Sequence, residues 1–126
     1  MAWEKDVLEK IVEADDLKVS PLRDDGMTHG TPTWIWCVAV DGNLYVRAYS
    51  GRESRWYKAA LQQKSGQIIA AGMKSKVCFH AVSGDVNDLI DEAYRAKYHA
   101  SQYLRPMISE RARAATVKIT PRDTGN

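Results

Sequence analysis

The sequence predicts an α+β fold built on a mostly antiparallel sheet of six strands, with two or three short helices beside it. Several segments are rich in β-branched and aromatic residues, and two of them flank Asp41-Gly42, a dipeptide typical of a two-residue hairpin turn. Two other segments show the helical periodicity of amphipathic helices. Because six strands in a meander leave exposed edges when flat, we expect the sheet to close into a small barrel.

The composition indicates one globular domain spanning residues 1–126. Of the 126 residues, 44% are hydrophobic and 27% are charged, and the formal net charge is +2. No apolar run reaches the roughly 20 residues of a membrane span, and the first residues are too polar for a secretory signal. Two cysteines, Cys37 and Cys78, are too few for a disulfide framework. We therefore expect a cytoplasmic protein that has no membrane partner.

The first half of the chain is predicted to hold one helix and three strands. Apolar residues at helical spacing predict a helix over residues 4–14, within an N-terminal helical region of residues 1–16. An alternating segment that meets Pro21 predicts a short edge strand. The three predicted strands cover residues 17–20, 33–40 and 43–49, the last two forming the Asp41-Gly42 hairpin.

The second half is predicted to hold helices, a second hairpin and a last strand. Ser54 is a good N-cap for a helix that Gly66 closes, and Asp85 or Asn87 caps a longer helix. The segment before the last strand is helical or irregular and is limited by Pro106. The predicted elements are a helix at 56–64, strands at 67–71 and 74–81, a helix from 85 or 87 to about 98, the segment 103–113, a strand at 115–119, and a frayed tail at 123–126.

An arginine between two tyrosines marks the strand 43–49. Side chains alternate between the two faces of a strand, so Leu44, Val46 and Ala48 are predicted to lie in the core. Tyr45, Arg47 and Tyr49 then share an outward face. A guanidinium there suits a planar anionic ligand, because it binds the anion bidentately while a ring stacks beside it. The alternative is a solvated arginine with tyrosines that pack across strands.

The segment that follows, SGRESRWY (residues 50–57), leads into the predicted helix. A helix N-terminus favours phosphate because its free N–H groups and positive dipole end face the anion. Ser54, Arg55 and Lys58 would add donors and charge, and Trp56 and Tyr57 would add aromatic surface. The alternative is an ordinary capped helix with Arg55 exposed and Trp56 in the core.

Two further tryptophans, Trp34 and Trp36, lie on one face of the strand 33–40. Tryptophans two residues apart would wall a planar ligand. The alternative is packing in the core or at a dimer interface.

Other kinds of site receive little support. No C-x-x-C pair accompanies Cys78-x-His80, so no metal site is expected. The nucleophile elbow, the phosphate loop and the dinucleotide fingerprint are absent from the sequence, and no side chain stands out as a catalytic acid or base. Acidic residues interrupt the basic residues of the C-terminal third, so nucleic acid is not an expected partner.

Six short motifs lie within residues 17–122: GTPTW (30–34), LYVR (44–47), SRWY (54–57), AAGM (70–73), YRAKY (94–98) and AATVK (114–118). With these motifs the chain resembles a family of small bacterial proteins of unknown function in the FMN-binding split-barrel superfamily. That superfamily includes pyridoxamine phosphate oxidases and deazaflavin-dependent nitroreductases. The resemblance implies a six-stranded split β-barrel and a homodimer that binds FMN or a deazaflavin in grooves between its subunits.

The resemblance to the nitroreductases also implies where a cofactor would bind. Its phosphate would lie at the turn and helix start, with Arg47 and Lys58 nearby, and aromatic residues would wall the ring or the substrate. Lys58-Ala59-Ala60 stands where an asparagine and a leucine often follow in those enzymes. The implied cofactor residues are Arg47, Tyr49, Ser50, Ser54, Arg55, Trp56, Tyr57 and Lys58, and the implied substrate residues are Trp34 and Trp36.

Three hypotheses follow. The first is an oxidoreductase-like protein that uses a flavin or deazaflavin on a small organic molecule. The second is a cofactor-free module that binds a small carboxylate through Arg47 or Arg55. The third is a structural dimer whose groove is packed.

Overall fold

The computed structural model describes residues 3–122 and shows an α+β domain, as predicted. Within those residues it has seven strands and five helices, against six strands and two or three helices expected. The strands are β1 (Lys18–Pro21), β2 (Thr33–Trp34), β3 (Cys37–Val40), β4 (Asn43–Arg47), β5 (Ser65–Ala70), β6 (Met73–Ala81) and β7 (Thr116–Pro121). The helices are α1 (Lys5–Ala14), α2 (Arg55–Gln63), α3 (Val86–Tyr98), α4 (Leu104–Met107) and α5 (Glu110–Arg113), with a 3₁₀ turn at Gly51–Glu53.

All seven strands join one antiparallel sheet in the order β2-β1-β5-β6-β7-β4-β3. Its two edge strands, β2 and β3, are consecutive in the chain and only Ile35 and Trp36 separate them. The edges of a flat seven-stranded sheet would lie about 29 Å apart at the usual strand spacing. Three Cα–Cα steps span at most about 11 Å. The sheet therefore curls into a half-barrel that brings its edges together.

This closure divides the segment that the sequence predicts as one strand, residues 33–40. Thr33–Trp34 pairs with β1 at one edge, whereas Cys37–Val40 pairs with β4 at the other. The predicted edge strand also differs, because β1 pairs with both β2 and β5 and so lies inside the sheet.

Both predicted hairpins are confirmed, and their turns have the required backbone. Asp41 and Gly42 have φ values of 50° and 80°, and Ala71 and Gly72 have 51° and 76°. Positive φ at both central residues matches the right-handed twist of the strands that the turn connects.

The predicted helices are also present, with small shifts at their ends. The N-terminal helix begins at Lys5 and ends at Ala14. α2 ends where Lys64 adopts a left-handed conformation, with φ 60°, whereas Gly66 belongs to β5. The predicted frayed tail, residues 123–126, lies outside the described residues.

Two apolar clusters cover the two faces of β4. Leu44, Val46 and Ala48 join one cluster with side chains of α1 and α2. Tyr45 joins the other, which packs β3 and β4 against α3 and α4. Both faces of β4 are therefore covered, so the face that carries Arg47 is not an outward one.

Candidate ligand-binding site

A recess of about 750 Å³ opens beside the end of β4. One wall is the Thr33–Trp36 segment, where the chain crosses from one sheet edge to the other. A second wall consists of Arg47, Tyr49, Ser50, Ser54 and Trp56, and a third of Ser101, Tyr103 and Met107. The volume lies in the range of about 300–1,000 Å³ that is typical of small-molecule sites.

The recess has a buried floor and an aromatic mouth. Ile35, Trp56 and Met107 are at most 9% exposed and form its inner surface. Trp34, Tyr49 and Tyr103 are 54%, 45% and 52% exposed and stand at the opening. Large exposed aromatic groups grouped around a concavity are typical of a binding surface.

Neighbouring side chains hold the two tryptophans of the first wall. Trp36 stacks on Tyr98 with ring centroids 3.9 Å apart and planes 5° from parallel. The Tyr98 hydroxyl donates a hydrogen bond of 2.5 Å to Asp15 Oδ1. Burial, together with that bond, raises the pKa of Tyr98. Trp34 Nε1 donates to the Asp15 carbonyl oxygen at 3.2 Å, so both indole rings are positioned by the C-terminal end of α1.

On the other two walls, Tyr49 and Tyr103 meet edge to face with centroids 6.3 Å apart. Ser101 Oγ accepts a hydrogen bond from the Tyr103 backbone N–H at 3.1 Å. Ser54 stands at the N-cap position of α2 without a side-chain capping bond. Its hydroxyl therefore does not cap the helix, and Ser54 lines the recess at the start of α2.

Arg47 touches the recess, but its guanidinium belongs to a buried polar network. The side chain is 0% exposed. Nη1 donates to Asp91 Oδ1 at 2.5 Å and to the Met107 carbonyl at 3.1 Å. Nη2 donates to the Asn87 carbonyl and to Asn87 Oδ1, and Nε donates to Thr116 Oγ1. An arginine has five N–H donors, and all five have partners here.

The expectation that Arg47 lies on an outward face is therefore wrong. Arg47 and Val46 do lie on different faces of β4, as strand alternation requires. However, α3 covers the face that carries Arg47 and supplies Asn87 and Asp91 from its inner face. Asp91 also accepts a bond of 2.7 Å from Arg113. The hydrogen bond to Asp88 raises the pKa of Arg113. These bonds join β4, β7, α3, α4 and α5 into one network.

Three of the other predicted residues do not line the recess. Arg55 is exposed at the start of α2. Lys58 pairs with Glu53 on the surface at 3.1 Å. Tyr57 is 6% exposed in the core cluster, and its hydroxyl donates to the Ala114 carbonyl at 3.4 Å.

Seven predicted residues do line it: Trp34, Trp36, Arg47, Tyr49, Ser50, Ser54 and Trp56. Sequence reasoning missed the third wall, Ser101, Tyr103 and Met107. The available signal was the segment Ser101-Gln102-Tyr103, in the loop after α3, whose hydroxyl and aromatic groups suit a loop at a site.

The lining offers little for acid–base or nucleophilic catalysis. Among the described residues that form it there is no His, Cys, Asp, Glu or Lys, and its serines have no neighbouring base in the lining. Over residues 3–122, no group of three or more His, Cys, Asp or Glu is placed to hold a metal ion. No helix in the same range is long and apolar enough to cross a membrane.

Comparison with solved structures supports the fold. The chain superposes on ChuZ from Campylobacter jejuni with a TM-score of 0.72 and 12% identity, over 94% of this chain and 52% of that one. It thus spans about half the length of ChuZ. The conserved hypothetical protein Rv2991 from Mycobacterium tuberculosis matches with a TM-score of 0.58 and 11% identity, over 98% of this chain and 82% of that one. At such identities the similarity concerns the fold alone.

Comparison of sequences gives a family. No protein with a curated description matches the chain significantly. The profile of a family described as uncharacterised proteins conserved in bacteria, DUF2255, matches residues 7–119. That range holds every strand but the end of β7, and all residues that line the recess. The chain therefore belongs to this bacterial family of uncharacterised proteins.

Proposed function

We propose that the recess binds a planar cofactor of the flavin class, FMN or a deazaflavin, and that the protein is an oxidoreductase acting on a small organic molecule. One observation carries the proposal: five aromatic side chains surround a recess of about 750 Å³ whose lining holds no His, Cys, Asp, Glu or Lys. A reaction in such a site needs a bound group that carries the chemistry itself. A flavin would supply two-electron transfer when bound.

The aromatic groups of the lining fit the ring of such a cofactor. The faces of Trp34 and Trp36 offer stacking surface, and Tyr98 and Asp15 fix both indole rings before any ligand arrives. Aromatic pairs contribute about 0.5–1.5 kcal/mol beyond area burial. These side chains would orient the ring and exclude water from it.

The phosphate fits the predicted anchors only in part. Arg47 has no free donor, and Arg55 and Lys58 lie outside the lining. Ser50 and Ser54 remain, together with the first N–H groups of α2, which lack partners within the helix. We therefore assign the phosphate end to the Ser50–Ser54 segment and not to Arg47.

A homodimer is part of the proposal. The apolar side chains at the mouth, Trp34, Tyr49 and Tyr103, are each about half exposed, and a second subunit over the mouth would cover them and complete the recess. Light scattering after size-exclusion chromatography tests this directly. We also propose a cytoplasmic location, which agrees with two free thiols at Cys37 and Cys78.

The test is a titration of the purified protein with FMN and with a deazaflavin, followed by ligand fluorescence and tryptophan quenching. We expect dissociation constants below about 10 μM, in the range that typical cofactor use requires. Trp34→Ala should weaken binding by about threefold to tenfold, because it removes one stacking face. Leu89→Ala is the matched control, since Leu89 is 51% exposed but lies outside the recess.

Absence of binding by either cofactor at about 100 μM would refute the proposal. Thermal stabilisation by small aromatic carboxylates, without any by flavins, would replace it with the cofactor-free binding module. Equal effects of Trp34→Ala and Leu89→Ala would place the ligand outside the recess.

A further inference from the structure

Arg111 lies next to the mouth of the recess although no motif points to it. Its guanidinium carbon lies 5.8 Å from the centroid of the Tyr49 ring. Its aliphatic stem packs against Gly51, so closely that a Cβ on Gly51 would lie 2.5 Å from Arg111 Cγ. Tyr49 and Ser50 both line the recess. The guanidinium of Arg111 therefore lies beside the opening of the recess.

This guanidinium has no anionic partner within the described residues. The ion pairs of residues 3–122 include Arg47 and Arg113 but not Arg111, and its side chain makes no hydrogen bond there. Arg113, only two residues along, is bound to Asp88 and Asp91. Of these three arginines, Arg111 alone keeps its donors available.

The contacts of Arg111 also limit the motion of its side chain. The Tyr49 ring beside the guanidinium and the packing of the stem on Gly51 restrict this exposed side chain, which reduces the entropy lost when it binds an anion. The edge-to-face contact between Tyr49 and Tyr103 extends the same surface across the mouth. If a planar ligand entered the recess with its ring first, a substituent at the outer end of the ring would lie near the Arg111 guanidinium.

We infer that Arg111 is the specificity-determining residue of the recess and selects planar ligands that carry a carboxylate or phosphate at their outer end. Planar, bidentate recognition of such groups is the chemistry for which arginine is best suited. This inference deepens the proposed function, since it rests on the recess binding planar ligands.

Two pairs of probes test it: riboflavin with FMN, and 2-naphthol with 2-naphthoate. Each pair shares a ring and differs in an anionic group. Dissociation constants are measured by fluorescence for the wild type, Arg111→Gln, Arg111→Lys and Arg122→Gln. Arg122 is an exposed arginine that follows the end of β7, outside the recess, and its replacement removes the same charge from the protein.

We expect the wild type to prefer the anionic member of at least one pair by about tenfold, a difference of about 1.4 kcal/mol. Arg111→Gln should abolish the preference for 2-naphthoate and reduce the preference for FMN, whose phosphate keeps the Ser50–Ser54 segment, without changing the affinity for the neutral members. Arg111→Lys should keep part of it, and Arg122→Gln should keep all of it. Thermal melts of each variant confirm that the fold is intact.

The failure of this inference differs from the failure of the proposed function. Equal binding of riboflavin and FMN, and of the two naphthalenes, overturns the role of Arg111 while leaving flavin binding in place. So does a preference that is as large in Arg111→Gln as in the wild type. A preference for 2-naphthoate that depends on Arg111, with no binding of FMN or of a deazaflavin, supports Arg111 and refutes the cofactor. If neither the four probes nor a deazaflavin bind, both are refuted.

Discussion

Replacing Arg47 with methionine should destabilise the fold by about 3–5 kcal/mol, the usual cost of breaking a buried charge pair by removing one partner. Methionine keeps most of the length of the side chain and removes all five donors. The carbonyl oxygens of Asn87 and Met107 would lose the partners that Arg47 gives them, at about 1–3 kcal/mol for each group left unsatisfied.

Two features of the network limit the loss. Asp91 keeps its bond to Arg113 at 2.7 Å, and Asn87 Oδ1 keeps the Thr116 hydroxyl at 2.9 Å. The carboxylate therefore does not become an isolated buried charge. For this reason we expect a value in the lower half of the range for Arg47→Met.

Urea unfolding followed by circular dichroism measures the free energy of unfolding and its denaturant dependence. Arg95→Met is the matched control, because Arg95 is an exposed arginine paired with Glu92 at 2.6 Å, and such surface pairs contribute about 0–1 kcal/mol. Arg47→Lys is a milder variant if Arg47→Met does not fold. A loss below about 1 kcal/mol for Arg47→Met would refute the reasoning, since it would place the guanidinium among ordinary surface groups.

Two further predictions concern Gly51 and Cys37. Gly51→Ala should lower the free energy of unfolding by at least about 1 kcal/mol more than Gly72→Ala does. Both glycines have φ +76°, but only at Gly51 would the new Cβ meet Arg111. Equal losses for the two variants in urea unfolding would contradict this. Burial raises the pKa of Cys37 to about 11 from an ordinary 9.0, so a thiol reagent at pH 8 should modify half-buried Cys78 and spare Cys37 until the protein unfolds. Because the unfolded chain releases this proton first, stability should fall as the pH rises from about 9 to about 11, and less steeply in Cys37→Ala; an unchanged slope in that variant would contradict the assignment.

Local patterns in the sequence predict most elements of the fold. The helix at Lys5–Ala14 and both hairpins depend on spacing and on turn residues that act within a few positions. The division of residues 33–40 into two edge strands does not. It depends on the curl of the whole sheet, which brings β2 and β3 together and leaves Ile35 and Trp36 to cross between them. No local feature of residues 33–40 indicates that the chain passes there from one edge of the sheet to the other.

The wrong prediction that Arg47 lies on an outward face has the same kind of cause, because it depends on what packs against β4 from a distant part of the chain. Alternation along β4 separates Arg47 from the core face correctly, but it does not say what covers the other side. One signal was available in α3, where Asn87 and Asp91 lie four residues apart on the same helix face as Ile90 and Tyr94. A polar pair on the apolar face of an amphipathic helix requires a buried partner, and Arg47 is that partner.

The Arg47 network also determines how the recess is shaped. Arg47 binds the carbonyl of Met107, which forms part of the third wall, and Arg47 itself touches the second wall. A variant that loosens this network should therefore weaken ligand binding without removing a ligand contact. Arg113→Gln distinguishes the two cases, because Arg113 lies outside the recess yet shares Asp91 with Arg47. If Arg47 acts by holding the third wall in place, Arg113→Gln should weaken the binding of neutral and anionic probes alike. If Arg47 instead contacts the ligand directly, Arg113→Gln should bind the probes as the wild type does.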